Sequence, residues 1–313
     1  MRLFIFLLLI AGNALAQPYP AKPVKIIVPL AAGGTGDTLA RLLAEELSKA
    51  LGGAVIVENR PGSGGIIGSE AVAKSPPDGY TLLHNSASHV ANAALRPKLA
   101  YDPIKDFTML ARTADTHQVL VAHPSFPPNT VQELIQFASK NQVFYGSSGN
   151  GSSTHLNMEL FKALAGIDLV HVPYKGSTQS RTDLIAGQIQ LSVDGLVPTL
   201  PHMRAGKLKA LALCSGRRSA VTPEIPTIAE AGVPGYQSDT WYALFGPGGM
   251  PAPLTERLRA ATRSALQSPA LREKFSHQGA EPTDPSPAQL EDLMRADLAR
   301  WTRLVREAGL KVD

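Results

Sequence analysis

The stretch Val24-Lys25-Ile26-Ile27-Val28-Pro29-Leu30-Ala31-Ala32-Gly33-Gly34-Thr35-Gly36-Asp37-Thr38-Leu39-Ala40-Arg41-Leu42-Leu43-Ala44-Glu45-Glu46-Leu47 decides the fold. A short β-branched apolar run comes first, then a glycine-rich turn, then apolar residues at helical spacing. Strand, turn and helix in that order open a βαβ unit, and so an α/β sheet. Glycines at the junction let backbone N–H groups face outward. The first helical turn leaves its own N–H groups without carbonyl partners and adds partial positive charge. The junction is therefore an anion site that needs no basic side chain. Ala32, Gly33, Gly34, Thr35, Gly36 and Asp37 are its candidate residues. Asp37 either caps the helix or accepts from the N–H groups of the glycine loop.

A second run, Gly146-Ser147-Ser148-Gly149-Asn150-Gly151-Ser152-Ser153-Thr154-His155, sits at a similar junction far along the chain. Its candidates are Ser148, Gly149, Asn150, Gly151, Ser152, Ser153 and His155. Two such loops facing each other can hold both ends of one small anion. Ser153 or Thr154 serves equally well as a helix cap. His155 orients the loop or simply packs, and its neutral ring offers a hydrogen-bond donor.

The rest of the chain keeps the same rhythm. Strands are expected at Val24–Val28, Val55–Glu58, Thr81–His84, Val119–Ala122, Val143–Gly146, Leu169–Val172, Ile189–Val193 and Leu208–Leu213. Helices are expected at Asp37–Leu51, Val131–Lys140, Ser153–Leu164 and Thr178–Ala186. This alternation predicts mostly parallel sheets covered by helices on both faces. Beyond Gly246-Pro247-Gly248-Gly249 the chain turns helical. Its last helix starts at Ser286-Pro287, and Trp301 is read as a core anchor. Val119–Ala122 and Trp241–Phe245 are candidates for strands that cross between two domains. The first domain is then discontinuous, 17–121 with 241–313, and the second spans 122–240.

The ends and the composition bound the function. Arg2, the apolar run Leu3 to Ala11 and the small-x-small site Ala14-Leu15-Ala16 read as a secretory signal cleaved after Ala16. The run is too short to span a bilayer. The mature protein is thus expected in the periplasm. The chain has 313 residues and a net charge of +4, with no dense basic block. That argues against nucleic acid as a partner. Cys214 is the single cysteine, so no intrachain disulfide can form, and its apolar surroundings suggest an inert buried thiol.

Two enzyme readings compete. Gly34-x-Gly36 after a strand, with Glu58 ending the next, partly matches a dinucleotide fingerprint, but Leu39 stands where the third glycine belongs. Gly146-Ser147-Ser148-Gly149-Asn150 lacks the final glycine of a nucleophile elbow. An exported hydrolase or a nucleotide-cofactor oxidoreductase built on these loops is the alternative function. No cofactor and no catalytic set are called for. The histidines show no metal-ligand spacing. Lys175, in Val172-Pro173-Tyr174-Lys175-Gly176-Ser177, is either an anion contact or a solvated turn lysine. Asp194, a carboxylate at a strand end, is expected to organise donors or water.

In these residues the chain resembles the Bug family, the periplasmic solute receptors of tripartite tricarboxylate transporters. The likeness runs through Val28-Pro29…Gly33-Gly34-Thr35-Gly36-Asp37, Val57-Glu58-Asn59-Arg60-Pro61-Gly62…Gly64-Gly65 and Pro77-Asp78-Gly79-Tyr80-Thr81-Leu82. It continues in Gly146…His155-Leu156, Val172-Pro173-Tyr174-Lys175-Gly176 and Ala205-Gly206-Lys207-Leu208-Lys209-Ala210-Leu211-Ala212. The resemblance implies a Venus-flytrap receptor, two α/β domains around a cleft joined by two crossing strands. It implies a small carboxylate ligand: a di- or tricarboxylate, an amino acid or an aromatic acid. Carried onto this chain, the binding loops are Ala31–Asp37 and Ser147–His155, with Lys175, Gly176, Ser177, Asp194 and Ser86 lining the cleft. A monomer serving membrane transport subunits, or an orphan sensor, is implied. Ala31-Ala32 stand where many relatives carry prolines, so the pocket width is this chain's own.

Overall fold

The structure, a computed structural model, describes residues 19–96, 98–283 and 286–307. The signal segment and its cleavage after Ala16 lie outside the described residues.

Among the described residues, eleven strands form two sheets. They are β1 (Val24–Val28), β2 (Val55–Asn59), β3 (Thr81–Ser86), β4 (Phe107–Thr116), β5 (Gln118–Ala122), β6 (Phe144–Ser147), β7 (Val170–Pro173), β8 (Leu191–Gly195), β9 (Lys209–Leu213), β10 (Thr240–Pro247) and β11 (Ala280–Pro282). The helices are α1 (Thr35–Leu51), α2 (Ile66–Ala73), α3 (Ser88–Leu95), α4 (Val131–Ala138), α5 (Ser153–Ala165), α6 (Ser177–Ile185), α7 (Leu196–Arg204), α8 (Ala252–Gln267), α9 (Pro269–His277) and α10 (Pro287–Glu307). A 3-10 turn, Ser63–Gly65, precedes α2.

The first sheet has the order β11-β4-β10-β3-β1-β2 and the second β7-β6-β8-β5-β9. Both are mixed. β1 runs parallel to β2 and β3, and β6 parallel to β7 and β8, as βαβ units require. β4, β5, β9, β10 and β11 join antiparallel, because none of them closes a helical crossover onto its neighbour. The parallel rhythm expected from the sequence therefore holds for three of the six strands in the first sheet and three of the five in the second.

Alternating side chains divide each strand between two cores. In β1, Ile26 and Val28 pack with Leu39, Leu43 and Leu47 of α1 and with Leu258 of α8. Ile27 faces the other side, with Val90 of α3, Trp241 and Phe245 of β10, and Met294 of α10. In β5, Leu120 packs with Leu134 of α4 and Phe161 of α5, whereas Val119 and Val121 pack with Leu184 of α6 and Leu200 of α7. Trp301 of α10 is a core residue, as expected, and meets Ala91 of α3 and Leu156 of α5. Cys214 is fully buried and burial pushes its thiol up to about 12, so no reactive thiolate forms.

The chain leaves the first sheet after Thr116 and enters the second at Gln118, with His117 between. It returns between Leu213 and Thr240. Val119–Ala122 and Trp241–Phe245 thus each lie in one sheet, next to a crossing rather than across it. Cys214 N–H donates to Gln118 O, and Ser238 N–H to Cys214 O, so the two passages are hydrogen-bonded side by side. No described helix is long and apolar enough to cross a membrane.

Candidate functional site

A cavity of about 600 Å³ opens between the two sheets. Its walls bring together residues far apart in sequence. Gly34, Thr35 and Gly36 come from the start of α1, Ser148, Gly149 and Asn150 from the loop before α5, and Ser153 from its first turn. Lys175, Gly176 and Ser177 lead into α6, and Asp194 closes β8. Three helix N-termini therefore meet one volume. Each leaves first-turn N–H groups without intrahelical partners and adds positive potential. Among the wall residues Lys175 and Arg96 carry positive charge, and Asp194 is offset by Arg181 (Nε to Oδ2, 2.7 Å). The chemistry on offer is capture of an anion by backbone donors.

The first loop is held from below and from within. Gly33 N–H donates to Asp37 Oδ2 at 3.0 Å, and Arg41 sits 2.9 Å from Asp37 Oδ1. Burial raises the Asp37 carboxyl, but bonds from Arg41, Gly33 and Asn59 outweigh it and hold the group below its ordinary range. Asp37 thus shapes the loop and does not line the cavity. Asn59 Nδ2 donates to Leu30 O. Beneath Gly36 lies the Tyr242 ring, stacked on His84 at 5.5 Å. Burial holds the His84 ring at about 4, so it is neutral and donates or accepts without adding charge.

The second loop uses most of its own donors. Ser148 N–H donates to Thr154 Oγ1, Gly149 N–H to Ser147 Oγ, and Gly151 N–H to His155 Nδ1. Ser152 caps α5 by accepting from His155 N–H at 3.3 Å. Ser153 Oγ accepts from Gln118 Nε2. Here Ser152 is the cap, and Thr154 braces the loop through Ser148. His155 stacks on His171 at 4.1 Å, and His171 Nε2 pairs with Ser147 Oγ at 2.7 Å. Burial lowers both rings, His171 to about 4, with His155 as its second cause. His155 therefore buttresses the loop from behind.

Of the residues singled out in the sequence, Ala32, Gly33, Asp37, Ser86, Gly151, Ser152 and His155 do not line the cavity. Ala32 O accepts from Thr178 Oγ1 of the other unit at 2.9 Å. Ser86 is buried, pairs with Tyr242 across strands and bonds the Ser88 hydroxyl. The cavity adds residues that the sequence did not single out as site residues: Gln118, Gly195, Tyr242, Arg96 and the turn Pro61-Gly62-Ser63-Gly64-Gly65. That turn holds four successive positive φ values, and its Gly64 approaches the backbone of Asn150 and Gly151 so closely that a Cβ would strike Gly151 at 2.9 Å. Asn92 Nδ2 and Arg96 Nη1 pin it through Gly64 O and Ser63 O. Among the described residues, no group of three or more His, Cys, Asp or Glu is placed to hold a metal ion.

Comparison with known proteins gives this geometry a family. A family model described as the tripartite tricarboxylate transporter family receptor matches residues 39–310. The chain is 37% identical over 307 residues to Protein BugT of Bordetella pertussis, covering 97% of this chain and 94% of BugT. MatC from Rhodopseudomonas palustris, solved with bound malate, superposes with a TM-score of 0.88 at 35% identity, over 92% of this chain and 100% of MatC. An R. palustris protein solved with adipate superposes at 0.89 and 36% identity, over 94% of this chain and 99% of that one. The two-domain α/β fold is that of periplasmic binding proteins. The chain belongs to the receptor family of the tripartite tricarboxylate transporters, whose members are periplasmic solute-binding proteins rather than enzymes.

Proposed function

We propose that this protein captures a small carboxylate in the cavity between its two domains and releases it unchanged to membrane transport subunits. The observation that carries the reading is the meeting of the N-termini of α1, α5 and α6 on one cavity of about 600 Å³. Backbone donors at helix starts favour an anion, and hydrogen bonds to a charged acceptor are stronger than neutral ones. The bound malate and adipate of two structural neighbours support a carboxylate as the ligand class. Gly34, Thr35 and Gly36 are the chief donors in this reading, because much of the second loop is already hydrogen-bonded to itself. Ser148, Gly149, Asn150, Ser153, Lys175, Gly176 and Ser177 complete the wall. The domains divide at His117, where β5 begins the second sheet, rather than after residue 121, and near Thr240. The first sixteen residues direct export, and the mature protein acts as a monomer.

A thermal-shift screen over dicarboxylates, tricarboxylates, amino acids and aromatic acids tests this. A ligand that binds only the folded state raises the melting temperature with its concentration. The expected result is a saturable shift with a carboxylate recovered unchanged. Turnover of an ester, or no shift with any carboxylate, contradicts the proposal.

A further inference from the structure

Asp194 is an awkward residue for an anion cavity. It lines the wall, is 3% exposed, and belongs to β8 at the junction with α7. Its Oδ1 accepts from Gly195 N–H at 2.7 Å. Gly195 in turn abuts the start of α1, where a Cβ would overlap Thr35 Oγ1. The carboxylate thus fixes a backbone turn on which the two domains meet. An unpaired negative charge there would repel a carboxylate ligand across a poorly screening interior.

Arg181 supplies the opposite charge. It stands on α6, is 6% exposed, and does not line the cavity. Its Nε donates to Asp194 Oδ2 at 2.7 Å, and its Nη2 has no hydrogen-bond partner among the described residues. The pair is therefore one-armed, not the two-armed fork that makes such pairs strong. A buried ion pair of this kind is a weak source of stability, since desolvating both groups offsets their attraction. Stability alone does not account for it.

We infer that Arg181 sets the charge selectivity of the site: it cancels Asp194 at the wall, so the cavity accepts an anion while the carboxylate keeps its structural bond to Gly195. Arg181 is a positioning and specificity residue that acts through Asp194 without touching the ligand. The inference rests on the carboxylate reading above. Selectivity here is a matter of removing repulsion as much as of adding attraction.

Titration calorimetry on the full mature chain tests it, with malate, succinate and adipate as probes. Arg181→Gln is expected to weaken the best-bound probe at least tenfold. Arg181→Lys, which keeps the charge, should stay within about threefold of the parent. Arg181→Gln combined with Asp194→Asn removes both charges and should recover most of the loss. Asp194→Asn alone, which leaves Arg181 uncompensated, should hold or tighten the probe. If Arg181→Gln does not fold, the other three variants still decide. Loss of binding in Asp194→Asn, or a double variant that binds at least tenfold more weakly than the parent, overturns the inference. Asp194 then contacts the ligand itself. A folded Arg181→Gln that matches the parent overturns it too. A parent that binds none of the three, and none of the wider carboxylate panel, overturns the carboxylate reading instead.

Discussion

Asp37 and Asp194 both place negative charge close to a cavity read as an anion site, and each has a guanidinium against it. Arg41 stands 2.9 Å from Asp37, and Arg181 2.7 Å from Asp194. In both cases the carboxylate bonds a backbone N–H of a glycine, Gly33 or Gly195. Acidic residues here shape loops, and glycines present the donors. Gly34 shows the consequence: a Cβ there would lie 3.2 Å from Ser177 Oγ across the cleft. Its φ of −85° is ordinary, so a side chain is not excluded by the backbone itself. Gly34→Val is expected to leave the fold intact and to abolish binding measured by calorimetry, because the branched side chain fills the approach to the α1 N-terminus. Lys175→Met should weaken binding only modestly. If the lysine variant loses binding and folded Gly34→Val keeps it, recognition depends on the lysine and not on the helix start.

Loops at the ends of elements carry the site, and element boundaries explain what could be read beforehand. The glycine-rich junctions before α1 and α5 stand out in the sequence, because strand, glycine cluster and helix follow one another locally. Asp194 was reached as a carboxylate at a strand end and Lys175 as a cation in a turn, whereas Ser177 came only with the family resemblance. Gln118 and Tyr242 were not reached: Val119–Ala122 and Trp241–Phe245 were read as crossing strands and not as walls, and β5 and β10 are buried throughout. Only the crossing of the chain at His117 and Thr240 brings them to the cavity. β4 also escaped, because Arg112 and Asp115 interrupt its apolar pattern and only His117 separates it from β5. The turn Gly62–Gly65 was legible as a motif but not as a wall, since its position depends on Asn92 and Arg96 of a later segment. Ser152→Ala removes the acceptor for His155 N–H and should cost about 1 kcal/mol of stability, read as a lower denaturation midpoint. An unchanged midpoint would mean that the bonds from Thr154 and His155 hold the loop without the cap.

Histidines withdrawn from water in both domains make the stability of the whole molecule pH-dependent. Burial holds His84 and His89 at about 4, and burial together with the neighbouring His155 does the same for His171, against an ordinary value of 6.5. As pH falls through 6.5 the unfolded chain takes up these protons, while the folded chain does not until about 4. Their effect is therefore absent above 6.5 and grows as unfolding is favoured between 6.5 and 4. The melting temperature should decline across that window. His89→Gln, at a ring that bonds only Pro103 O among the described residues, should flatten the decline. An equally steep decline in that variant would place the acid sensitivity elsewhere.

At the same scale, the two sheets touch through the loops that form the cavity. Thr178 Oγ1 donates to Ala32 O, and Gly176 packs so close to Ala31 that a Cβ would come within 2.5 Å. A ligand held there bridges both domains and favours their closed arrangement. On the proposed function, backbone donors hold a carboxylate as a charged acceptor between those domains. Calorimetric titration of the best-bound carboxylate against its primary amide measures this directly. Replacing each carboxylate by an amide is expected to cost on the order of 1.5–3 kcal/mol, the worth of a hydrogen bond to a charged acceptor. An amide that binds as tightly as the acid would contradict it.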